Sequence, residues 1–290
     1  MNIKVCLVQK NCNFTIDENI SQSEKIILEA AKKNVDIIVF SELFLCRYFC
    51  ISYEQKNFDL ALEDNSKIIK HFSNLAFSNN IAIVFPYFEK RTQGIYHNSV
   101  ILFDKDGSIA GKYRKMHIPD DPGYFEKFYF TPGDLGFEPI NCSLGKIGIL
   151  ICWDQWFPEA ARIMALKGAQ MLIYPTAIGF DGKDSKLEQN KQLDSWLTIQ
   201  RSHAIANSLP VISVNRVGLE SDNKQKIKFW GNSFVCGPQG EFIEKAGYTE
   251  QILFVDVDLN QSEKIRRTWP FFRDRRYKDY AEISRCFIDT

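Results

Sequence analysis

Short runs of branched and aromatic apolar residues alternate with longer amphipathic segments along almost the whole chain, and this alternation limits its fold more than any other feature. The runs IKVCLVQ (3–9), VDIIVFSE (35–42), IAIVFPYF (81–88), KIGILIC (146–152), AQMLIYPTA (169–177), PVISVNRVG (210–218) and QILFVDVDL (251–259) read as strands. Several are apolar at consecutive positions, as strands covered on both faces are. Between them, residues 17–34, 63–79, 185–207 and a segment running from Pro158 to Gly168 read as helices. Asp17 is the expected cap of the first helix and Asp184 a candidate cap of the one over 185–207. Residues 96–115, with Asp106-Gly107 at the turn, and residues 231–242 read as hairpins. Buried parallel-type strands mixed with hairpins imply an α/β fold in which mixed sheets are covered by helices, not a uniform Rossmann order.

No linker, low-complexity segment or repeat of fixed period divides the chain, so residues 1–260 are expected to form one domain. The segment RRTWPFFRDRRYKDY (266–280) carries too many large aromatics for a free end. The extension over 261–290 is expected to pack on the body or on a neighbouring subunit. Lys plus Arg and Asp plus Glu both number 36, which gives no support to a nucleic-acid or anionic-membrane partner. The N-terminal stretch has no secretory h-region, and no apolar run approaches the length of a membrane-crossing helix. A cytoplasmic chain with reduced thiols is expected. The 8 cysteines include no CxxC pair and the 4 histidines no HxH or HxxxH grouping, so no metal site is expected. Cys46 and Cys50 read as packed or loop thiols.

The chemistry concentrates at strand ends. In GILICWDQWFPEAAR (148–162) a buried strand stops at Cys152, and a helix is expected to start at Pro158. A thiol at such a turn lies near backbone N–H groups that stabilise both a thiolate and the oxyanion it creates on a carbonyl. A buried structural cysteine is the alternative. Glu42 closes the run DIIVFS, and Lys115 ends the second strand of the hairpin in GKYRKMHIP. Each has an ordinary reading, a solvated acid and a surface lysine. Together with Cys152 they form a set of strand-end groups, where α/β sheets place their reacting residues.

FSELF (40–44), GKYRKMHIP (111–119) and ICWDQWFPE (151–159) resemble, in order and spacing, the three catalytic blocks of the nitrilase superfamily of carbon–nitrogen hydrolases. GYFEKFYFTPGD (123–134) is similar to the loop that follows its lysine block. The resemblance implies a four-layer α-β-β-α sandwich, with Glu42 as general base, Lys115 as the oxyanion-stabilising cation, Cys152 as nucleophile and Glu126 positioning the substrate amide or water. It implies no metal, no organic cofactor, a small ureido or amide substrate, and a homo-oligomer built from dimers.

Within the superfamily, ICWDQWFPEAAR, GYFEKFYFTPGDLGF, YPTAIG (174–179) and VNRVG (214–218) most resemble the enzymes that hydrolyse N-carbamoylputrescine. The residues agree with this. No basic residue follows Cys152 until Arg162, whereas a carboxylate-bearing substrate would call for an arginine near the nucleophile. Tyr48, Trp153 and Trp156 are candidate walls for an aliphatic chain, and Asp154, Asp181 or Asp184 candidate partners for a distal ammonium. Arg47 enters a loop expected near the pocket mouth, where a cation would disfavour a diamine-like substrate unless it points away. His203 reads as a packed or interface histidine. The alternatives are β-ureidopropionate or an ω-amide as substrate, and a non-catalytic scaffold.

Overall fold

The structure is a computed structural model that describes residues 1–222 and 225–288. In chain order its elements are β1 (Asn2–Gln9), α1 (Ile16–Lys32), β2 (Ile37–Phe40), α2 (Lys67–Asn79), β3 (Ala82–Thr92), β4 (Ile95–Phe103), β5 (Ile109–Arg114), β6 (Ile140–Cys142), β7 (Gly145–Ile149), α3 (Pro158–Leu166), β8 (Met171–Pro175), β9 (Gly179–Asp181), α4 (Lys186–Asn207), β10 (Val211–Val214), β11 (Val217–Ser221), β12 (Lys226–Trp230), β13 (Phe234–Cys236), β14 (Phe242–Lys245), β15 (Gln251–Asp258) and α5 (Asn260–Thr268).

Two six-stranded sheets form the centre, in the orders β15-β1-β2-β3-β4-β5 and β14-β13-β10-β8-β7-β6. In each, a parallel trio (β1-β2-β3 and β7-β8-β10) is flanked by antiparallel strands, one on one side and two on the other. The halves therefore share a topology that no sequence repeat announces. Pleat alternation divides the core. On β1, Val5 and Leu7 join the cluster that packs between the sheets, while Cys6 and Val8 face the cluster that includes Ile27 of α1 and Phe72 of α2. Ala160 and Met164 of α3 and Trp196 of α4 pack with the strands of the second sheet. The result is the expected α-β-β-α sandwich with mixed sheets.

Local details depart from the sequence reading. Thr15, not Asp17, caps α1: its hydroxyl accepts from Glu18 N, and Glu18 returns a bond to Thr15 N. Ser185, not Asp184, caps α4 by accepting from Glu188 N at 3.2 Å. The small sheet β11-β12-β9 has no counterpart in the sequence reading. β9 has only three residues, and β11 (VGLES) contains a glycine and two polar residues instead of an apolar run. In the C-terminal extension Arg266 donates to Asn207 O at 2.9 Å, and Phe272 packs against the core beneath the guanidinium groups of Arg162 and Arg266. Among the described residues no helix is long and apolar enough to cross a membrane.

Candidate active site

Three strand ends converge. β2 leads into Glu42, β5 into Lys115, and β7 of the other sheet into Cys152. Lys115 Nζ donates to Glu42 Oε1 at 2.8 Å and to Glu126 Oε2 at 2.7 Å, with all three side chains buried. Burial alone would push the Lys115 ammonium toward neutrality, but the carboxylates of Glu126 and Glu42 outweigh it and hold the group well above the ordinary lysine value. Burial raises Glu126 from 4.5 to about 7 despite its lysine partner. Asn98 Nδ2 also donates to Glu42 Oε1, at 2.7 Å. Glu42 Oε2 is buried and accepts no hydrogen bond among the described residues, so it is available to a proton.

Cys152 is buried, and its backbone has φ +42, a left-handed conformation that a non-glycine residue keeps only where the surroundings enforce it. It opens a 3-10 turn, Cys152–Trp156, and the α-helix begins six residues later at Pro158. The thiol therefore sits on a tight turn rather than at the helix start itself. Burial, then the nearby Glu42 carboxylate, raise its pKa well above the ordinary value, and the Lys115 ammonium opposes them. The sulfur stays protonated until a base takes its proton. Its donor contact is the carbonyl of Ala177, at 3.8 Å.

Cys152 opens into a cavity of about 470 Å3 walled by Trp153, Trp156, Tyr124 and Trp230. Asp121, Asp181, Asp184 and Glu188 also line it, and Lys191 is its single cation among the described residues. Trp153 and Trp156 are thus where the sequence placed them, with ring centroids 6.5 Å apart. Asp181 and Asp184 reach the cavity too. Asp154 does not. Its side chain turns into the core, where Oδ2 accepts from Tyr113 OH at 2.8 Å and Ile151 N at 2.9 Å, and Oδ1 accepts from His117 N at 3.0 Å. Oδ1 also lies 2.7 Å from His117 Nδ1, and these four contacts use the carboxylate fully, so it cannot meet a substrate ammonium. Tyr48 is not a wall of this cavity either. Like Glu42, Lys115 and Glu126, it lies outside the lining, and it donates its hydroxyl to Glu126 Oε1 at 2.6 Å. Arg47 points away, pairing with Glu220 at 3.6 Å and covering the Phe14 ring. His203 is packed, its Nε2 2.7 Å from the carbonyl of Gln155.

Comparison with known proteins gives the family. Residues 4–267 match the model of the family described as carbon-nitrogen hydrolase. The chain belongs to the carbon-nitrogen hydrolase family. It is 43% identical over 288 residues to a citrullinase of Francisella tularensis, covering 99% of both chains. It is 41% identical over 281 residues to an N-carbamoylputrescine amidase of Oryza sativa, covering 94% of this chain and 92% of that one. A crystal structure of a carbon-nitrogen hydrolase from Helicobacter pylori superposes with a TM-score of 0.96 at 50% identity, covering 99% of this chain and 100% of that one. The protein is thus an amidohydrolase of the nitrilase superfamily.

Several residues that shape this carbon-nitrogen hydrolase site escaped the sequence reading. Asn98 sits mid-strand on β4 and reads as an ordinary polar residue. Asn215 Oδ1 accepts from Ile178 N at 3.0 Å and its Nδ2 donates to Ile178 O at 2.9 Å, fixing the cavity wall that leads into β9. Gly179 must lack a side chain there, because a Cβ would lie 2.4 Å from Lys228 O. Arg216 is fully buried and donates to the carbonyls of Glu42 and Leu43 at 2.6 and 3.0 Å. The only hint in the sequence was VNRVG, quoted for its resemblance and not for a contact.

Proposed function

We propose that the enzyme is a thiol amidohydrolase of ureido substrates and that it cleaves N-carbamoylputrescine to putrescine, ammonia and carbon dioxide. Glu42 takes the Cys152 proton, and the sulfur attacks the ureido carbon. The electron pair of the carbonyl moves to oxygen, where Lys115 and the N–H groups following Cys152 stabilise the charge. The tetrahedral species collapses with cleavage of one C–N bond, and the departing amine receives the proton from Glu42. Water then gives a proton to Glu42 and attacks the thioester-type carbonyl. The thiolate leaves and regains its proton, and the second nitrogen is released with carbon dioxide. Glu126, beside Lys115, positions the substrate amide or the water. Exclusion of solvent strengthens each charge interaction in the cluster.

The observation that carries the substrate assignment is the makeup of the cavity: an aromatic channel at Cys152 with, among the described residues, four carboxylates and one ammonium along its lining. An aliphatic chain ending in an ammonium suits that field. Lys191 favours a second reading, a ureido amino acid such as citrulline, whose carboxylate it could pair while the acids meet the α-ammonium. The 43% identity to a citrullinase supports the same alternative. A dimer-based homo-oligomer in the cytoplasm, with the 261–290 extension packed on the body or a neighbour, belongs to this reading. Support for the extension's role comes from the exposed rings of Trp269, Tyr277 and Tyr280.

The test is release of ammonia and the matching amine from N-carbamoylputrescine, citrulline, β-ureidopropionate and an ω-amide, with Cys152→Ala beside the wild type. The expected result is highest kcat/KM on N-carbamoylputrescine and none in the variant. Preference for β-ureidopropionate would overturn the assignment.

A further inference from the structure

A closed ring of contacts joins the two buried glutamates on the side away from the substrate cavity. From Glu42 the ring runs to Lys115 Nζ (2.8 Å), Glu126 (2.7 Å) and the Tyr48 hydroxyl (2.6 Å). The Tyr48 backbone N–H donates to Glu220 Oε2 at 2.6 Å, and Glu220 Oε1 accepts from Arg216 NH1 at 3.0 Å. Arg216 NH2 closes the ring on the carbonyl of Glu42 at 2.6 Å. We propose that Arg216 and Glu220 form a positioning clamp that sets Glu42 and Glu126 on either side of Lys115. The proposal rests on the reading of Glu42, Lys115 and Cys152 as the reacting groups and adds two residues that touch neither substrate nor sulfur.

Three observations argue for a clamp rather than a buried ion pair kept for stability. First, a fully buried guanidinium is costly to desolvate, and an apolar replacement often serves stability equally well. Second, its fork does not merely pair with Glu220. It also holds two successive carbonyls, those of Glu42 and Leu43, and Leu43 has φ +51. Such a backbone persists only when neighbours enforce it, and here it sets where the Glu42 side chain emerges. Third, the guanidinium covers the rings of Tyr48 and Phe229, with centroids at 5.9 and 5.3 Å, so it also fixes the tyrosine that carries Glu126. Toward the reacting groups, the side-chain contacts of Arg216 and Glu220 run to the carbonyls of Glu42 and Leu43 and to the backbone and ring of Tyr48, so their effect on the reaction must pass through those groups to the glutamates.

The test compares wild type, Arg216→Lys and Glu220→Gln as intact chains. Arg216→Lys keeps the charge but loses the fork. Glu220→Gln keeps an acceptor for Tyr48 N but loses the charge facing Arg216. Thermal unfolding is recorded with kcat and KM on the turned-over ureido substrate. Selective alkylation of Cys152 by iodoacetamide is followed by peptide mapping across pH and needs no substrate. The expected result is folded variants whose kcat falls about 10–100-fold with KM within about threefold, and whose Cys152 alkylates more slowly. Wild-type rates of turnover and alkylation in both variants would overturn the clamp. Unfolding of both variants would overturn it too, by assigning the pair to stability. If Cys152 of the wild type resists alkylation while exposed Cys286 reacts, the catalytic reading fails and the clamp with it.

Discussion

The Asp154 carboxylate accepts a hydrogen bond from the Tyr113 hydroxyl at 2.8 Å, joining the strand that ends at Lys115 to the turn that begins at Cys152. The same carboxylate also binds Ile151 N and His117 N, one residue before the sulfur and two after the ammonium. Two sheets that contribute separate reacting groups are thereby held in one register.

Replacing that carboxylate should disturb both fold and catalysis. Asp154→Asn turns one acceptor oxygen into a donor facing other donors. We expect a stability loss of about 3 kcal/mol, read from urea unfolding. A fall in kcat larger than the fall in folded fraction should accompany it, because the sulfur and the ammonium lose their common anchor.

Removing the sulfur and removing the ammonium should have different consequences. Cys152→Ala deletes one sulfur atom, whose hydrogen bond to Ala177 O is weak, and should abolish turnover while leaving the melting temperature nearly unchanged. Lys115→Met leaves Glu42 and Glu126 buried without their cation. It should cost about 3–5 kcal/mol of stability and at least about 10²–10³ in rate. Thermal melts beside the ammonia-release assay distinguish the two patterns.

Two buried glutamates predict opposite pH responses of stability. Glu126 is raised from 4.5 to about 7 by burial, so the folded state binds a proton the unfolded chain has released, and its contribution weakens as pH rises from 4.5 to about 7. Glu89 also feels burial, but hydrogen bonds from Arg114, Ser99 and Lys112 outweigh it and lower it to about 2. Its contribution is complete above 4.5 and disappears as pH falls toward 2. Urea unfolding at stepped pH should show Glu89→Gln losing the acid-side slope. Tyr48→Phe removes a hydrogen bond to the Glu126 carboxylate, so the acid limb of its kcat/KM profile should move to higher pH.

Charge along the cavity lining should set substrate choice. Asp184→Asn and Glu188→Gln each remove one negative charge from the lining and should raise KM for N-carbamoylputrescine about 3–10-fold, less at high salt. Lys191→Met should lower that KM and raise KM for citrulline. Equal shifts for the two substrates would show that the lining does not read the distal group.

The sequence by itself determined the elements and the chemistry they carry. Apolar runs such as VDIIVF and KIGILI are buried wherever they pack, so β2 and β7 and the reactive residues at their ends were legible from local pattern. What lies next to what was decided only in three dimensions. Asp154 and Trp153 are neighbours in sequence, yet the tight turn sends one into the core and the other to the cavity. Tyr48 reads as a wall for the substrate chain until Glu126, 78 residues away, gives its hydroxyl a partner. Arg216 carries no signal of its own in VNRVG, and its role emerges only when backbone carbonyls more than 170 residues distant accept from it. Burial of a polar group is favourable only when its partners are in place, and those partners come from other strands. Sequence pattern reports the face a residue prefers, while tertiary packing alone supplies the group that it meets there.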